Sequence, residues 1–283
     1  MPRPTQAFID LSALAHNLGV VRQYVPCSRI MAVVKADAYG HGLLHTASAL
    51  KDVDGFALLE LDAAISLRDA GYQQPILLLE GFFSTEELAL FEQYRLSAVI
   101  HHSEQIAMLS DSKHHNLDLF LKINTGMNRL GLAPEQFPQI MKALTDHPGI
   151  DSITLMTHFA SADDPLEEDE VFQQLQYFEA ITQNHKYPHS LANSAAIIRY
   201  PVTHADWVRP GIMLYGASPF ADKTASELNL KPVMTLSSKI IAIHDLKIGD
   251  RVGYHGLFQA DHPMRIGVVA CGYADGYPRH APT

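Results

Sequence analysis

The sequence predicts an α/β protein: a (β/α)8 TIM-type barrel followed by an incomplete all-β domain. Three observations predict it. Eight short apolar runs alternate with helix-like stretches up to about residue 230, the grammar of a parallel sheet closed into a barrel. Polar side chains recur at the carboxyl ends of those runs, where barrels carry their chemistry. Beyond residue 231 strand-like segments follow one another through turns, with no helix between them. The expected division is 1–230 for the barrel and 231–283 for the β domain, with roughly the first ten residues free to pair with the latter.

In the first run, "RIMAVV" (29–34), residues 30–34 are continuously apolar and include branched residues, the pattern of a strand covered on both faces. It is followed by Lys35 and the turn-like "ADAYGHG". The remaining barrel strands are "GFALLE" (55–60), "PILLLE" (75–80), "SAVIH" (97–101), "LDLFLKIN" (117–124), "SITLMTH" (152–158), "HSLANS" (189–194) and "DWVRPG" (206–211). Helices are expected over 61–71, closed by Gly71, and over 84–94, where Ser84 or Thr85 with Glu87 forms a capping box. Three more are expected over 103–111, 133–147 and 168–185. In the β domain "PVMTLSSKIIAIHDLKIGDRVGYHG" and "MRIGVVACGYADGYPR" read as strands joined by turns, "LKIGD" being a short turn before another strand.

Composition narrows the function. The 283-residue chain is 47% hydrophobic and carries a formal charge of −10, with no Lys/Arg-rich run. An acidic chain without a basic stripe is a poor nucleic-acid binder. No run reaches about 18 apolar residues, so no membrane span is expected. The two distant cysteines, Cys27 and Cys271, form no disulfide framework. A cytoplasmic setting is the expectation.

Strand ends then supply candidate residues. Lys35 follows the first strand, where a lysine can lose hydration and become a nucleophilic amine. Arg129 follows the fifth strand, His158 ends the sixth, Asn193 and Ser194 end the seventh, and Arg209 ends the eighth. Singly, each has an ordinary reading: a structural histidine, rim arginines, an N-cap for "SAAIIRY". Together they suit an anionic ligand and Schiff-base chemistry at the barrel mouth. His41 and His45 in "HGLLH" have helical ligand spacing but no third partner, so no metal site is expected. His101–His102 and His114–His115 read as loop residues.

"AVVKADAYGHG", "KINTGMNRLG", "MTHFA", "NSAA", "DWVRPGIMLYG" and "GYADGYPR" occur in this order, and the chain resembles the bacterial alanine racemases over essentially its whole length. The resemblance implies an enzyme using pyridoxal 5′-phosphate (PLP) to interconvert L- and D-alanine, the latter for peptidoglycan, as a homodimer. It implies that Lys35 holds the cofactor and is one of two acid/base groups. Tyr39, Asn193, Ser194 and the N–H groups of Gly211 and Ile212 would bind the cofactor, chiefly at its phosphate. Arg129 would meet the substrate carboxylate, oriented by Lys122 carried as a carbamate. His158 would back the opposite base, and Arg209 would face the pyridine nitrogen. Tyr273 would be that second base, entering the mouth of the partner's barrel. The family's chains continue past "GYADGYPR", so the sequence also reads as truncated, with a β domain that leaves unpaired edges and an exposed apolar face, a weakened dimer and impaired activity. A non-racemising PLP-binding protein, a PLP-dependent decarboxylase of the same fold and a cofactor-free aldolase are the alternatives.

Overall fold

The computed structural model of the chain describes residues 3–110 and 115–279. It consists of two compact units, Asp10–Val233 and a second formed by Met1–Ile9 with Met234–Thr283. The strands in chain order are β1 (Gln6–Ile9), β2 (Arg29–Val33), β3 (Gly55–Leu58), β4 (Ile76–Leu78), β5 (Ser97–Ile100), β6 (Leu117–Lys122), β7 (Ile150–Met156), β8 (His189–Asn193), β9 (Trp207–Arg209), β10 (Met234–Ser237), β11 (Ile240–Leu246), β12 (Arg251–Val252), β13 (Phe258–Gln259) and β14 (Met264–Val269).

In the larger unit β2 to β9 pair in sequence order, all parallel. Pairing of Arg29 with Trp207 and Ile30 with Val208 joins β9 to β2 and closes the barrel. All eight expected strands are present. Met31, Val33, Val99, Phe120, Met156 and Trp207 meet inside it as a buried cluster. These branched and bulky side chains fill the interior, so the barrel is a packed core rather than a pore.

The helices are α1 (Leu11–Tyr24), α2 (Lys35–Gly40), α3 (Leu43–Ala49), α4 (Leu61–Asp69), α5 (Leu88–Tyr94), α6 (Ser103–Ser110), α7 (Phe137–Thr145), α8 (Glu168–Thr182) and α9 (Ser194–Arg199). The Asp10 side chain caps α1 by accepting the N–H groups of Ser12 and Ala13 at 2.9 and 3.2 Å. Leu14, Leu18 and Val21 then turn one stripe of α1 into the core. The helix expected from residue 84 starts only at Leu88. Its Glu87 carboxylate instead accepts the N–H of Phe83 at 2.8 Å, which holds the preceding residues in turns. His101 and His102 lie between β5 and α6. His114 and Asp111 fall outside the described residues.

In the smaller unit β1 pairs antiparallel with β10, from Gln6 opposite Ser237 to Ile9 opposite Met234. β11 pairs with β14, and β12 with β13. Arg3 holds Asp275 at 2.7 Å. Ile240, Ile241, Ile243 and Leu257 are exposed.

Candidate active site

A closed parallel barrel brings all of its strand ends to one face. One cavity of about 700 Å³ opens there. All ten barrel residues singled out from the sequence line it: Lys35, Tyr39, Lys122, Arg129 and His158 on one side of the count, with Asn193, Ser194, Arg209, Gly211 and Ile212 completing it. Tyr273 belongs to the β unit, where it opens a short 3-10 turn and is 68% exposed.

Lys35 is presented by an uncommon backbone. Ala36, Asp37, Ala38 and Tyr39 all have φ between 50 and 54°, one turn of left-handed helix without a glycine. Each such residue costs roughly 1–2 kcal/mol, so the surroundings must hold the turn. They do: the Ala38 N–H donates to Val34 C=O at 3.0 Å, and Gly42 N–H to Asp37 C=O at 3.0 Å. The Asp37 carboxylate also accepts the N–H of Leu43 at 2.7 Å.

Tyr39, at the end of this turn, packs on the ring of Tyr215 with centroids 4.6 Å apart. Tyr215 is fixed in turn, its hydroxyl donating to Val33 C=O at 3.0 Å. The Tyr39 hydroxyl reaches Gly211 so closely that a Cβ there would lie 2.7 Å from it. The Gly211 N–H donates to Ser194 Oγ at 2.9 Å. Asn193, not Ser194, caps the following helix, its Oδ1 accepting the N–H of Ala196 at 3.0 Å. The two residues that the sequence left as alternative caps therefore divide the work.

The N-terminal domain model of the alanine racemases matches residues 9–219, and their C-terminal domain model matches 233–283. The chain belongs to the alanine racemase family. An alanine racemase of Nitrosomonas europaea is 63% identical over 286 residues, covering 100% of this chain and 79% of that protein. A catabolic alanine racemase of Klebsiella aerogenes is 48% identical, covering 100% and 79%. Among solved structures, the biosynthetic alanine racemase from Pseudomonas aeruginosa superposes with a TM-score of 0.96 at 43% identity, covering 99% of this chain and 79% of that one.

The alanine racemase family is PLP-dependent, and the mouth fits that group. The Tyr39 hydroxyl and the Ile212 N–H line the cavity with no hydrogen-bond partner among the described residues. With Ser194 Oγ and the bare Cα of Gly211 they form a cradle that any larger residue at 211 would fill. The charge balance points the same way. Lys35, Lys122, Arg129 and Arg209 all line the cavity, and none forms an ion pair among the described residues. Burial, and then the charges of Arg209, Arg129 and Lys35, push Lys122 down to about 8. Burial, and then the charges of Arg209, Lys122, Arg129 and Lys35, hold His158 well below the ordinary histidine range, so its ring is neutral. Burial lowers Arg209 to about 9, which still leaves it charged at neutral pH. Such an excess of cations suits a phosphate and a carboxylate.

Arg209 is fixed on three sides. Its guanidinium donates to Ser190 Oγ at 2.5 Å, Thr157 C=O at 2.7 Å and Leu191 C=O at 3.1 Å. It also stands 3.3 Å from His158 Nδ1.

Two supports escaped the sequence reading. Tyr215 is one. The other is Gln174, whose amide nitrogen donates to Thr125 Oγ1 and to His158 C=O, both at 3.2 Å. Its amide oxygen accepts the N–H of Ala160 at 2.9 Å. Gln174 thus ties together the segments that follow β6 and β7. A signal was present: it sits on the core stripe of α8 with Val171, Leu175 and Phe178, where a polar side chain must find buried partners. The histidine pair of "HGLLH" holds no metal-ligating cluster among the described residues, and no helix there is long and apolar enough to cross a membrane.

Proposed function

We propose that the chain interconverts L- and D-alanine with PLP held at the carboxyl-end mouth of the barrel, supplying D-alanine for peptidoglycan in the cytoplasm. The observation that carries this reading is the meeting of an anion cradle and three further unneutralised cations around Lys35 in one cavity. In our division the barrel domain is 1–230 and the β domain 231–283, with roughly the first ten residues pairing with the latter through β1.

Lys35 is the attachment point for the cofactor. Tyr39, Asn193, Ser194 and the N–H of Ile212 hold it, largely through the phosphate; the Gly211 N–H, expected to join them, is instead given to Ser194 Oγ, and Gly211 contributes the open space beside Tyr39. When bound, PLP supplies an electron sink that makes the α-proton of an attached amino acid acidic. The chain's own residues do the rest. Arg129 receives the substrate carboxylate and fixes which faces of Cα meet the bases. The depressed Lys122 amine attacks carbon dioxide, forming a C–N bond and releasing one proton, and the resulting carbamate orients Arg129. Arg209 would stand at the cofactor's ring nitrogen as a fixed cation in place of a carboxylic acid, and His158 stays neutral beside it. Lys35 Nζ as the free amine takes the α-proton on one face while the Tyr273 phenol returns one on the other, and in the reverse direction the Tyr273 phenolate takes it while the Lys35 ammonium returns one. Tyr273 reaches the mouth from a second copy in a homodimer.

Borohydride reduction followed by peptide mapping should place the cofactor on Lys35, and label on another lysine would overturn the assignment. Substrate α-proton exchange in deuterated water tests the two bases. Tyr273→Phe should lose exchange from L-alanine, and Lys35→Ala from D-alanine, each by about 10²–10⁴. Equal residual exchange from both enantiomers in Tyr273→Phe would refute the assignment. Sedimentation at micromolar concentration tests the dimer.

A further inference from the structure

The opposite end of the barrel is also open. A second cavity of about 530 Å³ lies among the amino-terminal ends of the strands. Such volumes are in the range of small-molecule sites, whereas the lower end of a barrel is ordinarily filled by stacked side chains.

Its charged walls face each other. Arg29, the first residue of β2, is in register with Trp207 on β9, so both point inward. The guanidinium carbon lies 4.1 Å from the Trp207 ring centroid, which holds its N–H fork in place without neutralising it. Across the barrel, Asp118 on β6 is in register with Ser97 on β5 and Ser152 on β7. The Ser152 hydroxyl donates to its carboxylate. Arg29 and Asp118 stand on strands four places apart in a ring of eight, and neither makes an ion pair among the described residues.

Two hydroxyls complete these walls. Ser97 and Thr154 line the cavity and are 3% and 5% exposed. Neither hydroxyl has a hydrogen-bond partner among the described residues. Neither is one of the fully buried side-chain atoms left without a partner, and both residues line a cavity that also holds the Arg29 guanidinium, the Asp118 and Asp151 carboxylates and aromatic surface.

We propose that this cavity binds a free α-amino acid with a large apolar side chain, as the zwitterion. The carboxylate lies on the Arg29 fork, a geometry that guanidinium matches with two parallel N–H donors. The ammonium lies at Asp118 and donates to the Ser97 and Thr154 hydroxyls. The side chain lies against Trp207 and Phe120, both buried and both lining the cavity. The volume is too generous for a methyl group, so alanine leaves most of the apolar wall uncovered.

The chain's one tryptophan is Trp207, which makes the site self-reporting. L-phenylalanine titrated into the cofactor-loaded protein should change the tryptophan emission saturably. Arg29→Gln and Asp118→Asn should each weaken the response at least about tenfold, the loss of one charged hydrogen-bonding partner, while alanine racemisation continues. Lys35→Ala should retain it, which separates this site from the mouth. On the unaltered chain, 3-phenylpropionate and phenethylamine, each lacking one charge, should bind at least about tenfold more weakly than L-phenylalanine. No saturable change, an unaltered response in Arg29→Gln, or equal binding of either half-ligand would overturn the proposal.

Discussion

Lys122→Met should make the cofactor-free protein more stable at pH 7. Lys122 is only 6% exposed and sits among cations that lower it to about 8. An unfolded lysine titrates near 10.4, and each pH unit between the two values is worth about 1.4 kcal/mol, so holding the charge in the fold costs about 3 kcal/mol. The folded value is the depressed one, and lysine is charged when protonated. The cost is therefore fully present below pH 8 and disappears as pH rises from about 8 to about 10.4, where the unfolded chain binds more protons than the folded one. Methionine fills similar space without charge, and Lys122 has no carboxylate partner to orphan, so the variant should gain about 1–3 kcal/mol at pH 7. Urea denaturation of both apoproteins at pH 7 and pH 10, in carbon-dioxide-free buffer, reads this directly. The gap should shrink at the higher pH. Adding bicarbonate at pH 8 should stabilise the parent and leave the variant unchanged, because only an amine forms a carbamate. In the loaded enzyme the variant should raise KM for alanine more than it lowers kcat. A variant less stable than the parent at pH 7, or a gap that ignores pH, would refute the reasoning.

Two further outcomes follow from the cradle and its support. Gly211→Ala places a methyl group 2.7 Å from the Tyr39 hydroxyl, and overpacking of that kind costs about 1–3 kcal/mol; absorbance titration of the apoprotein with PLP should show affinity reduced at least about tenfold with the barrel's far-UV spectrum intact. Gln174→Leu leaves the N–H of Ala160 without its acceptor, so the urea midpoint should fall by the equivalent of about 2 kcal/mol, and activity should fall with it as the His158 segment loosens.

The barrel was legible because its strands are buried on both faces and write themselves as unbroken apolar runs. "IMAVV" (30–34) and "PILLL" (75–79) need no partner sequence to be recognised. The site was legible for a related reason: chemistry confined to strand ends puts Lys35, His158 and Arg209 at readable positions. Helix starts were less so. Nothing local distinguishes a helix at Ser84 from turns that pass the same residues to Leu88, since Glu87 can serve either. The left-handed turn left no mark, because the usual sign of positive φ is glycine and residues 36–39 contain none. Tyr215 and Gln174 act through partners distant in sequence, and only the closed barrel brings those partners to them.

The handedness of that turn has a consequence for length. In a right-handed helix every Cα–Cβ bond leans toward the amino terminus, and Tyr39 would lean back over Lys35. In the mirror sense the lean reverses, and the phenol points onward, toward Gly211. The turn therefore works as a ruler. It presents Lys35 and Tyr39 to one cavity from its two ends, so a ligand must be long enough to reach from the first residue of the turn to the last to use both grips at once.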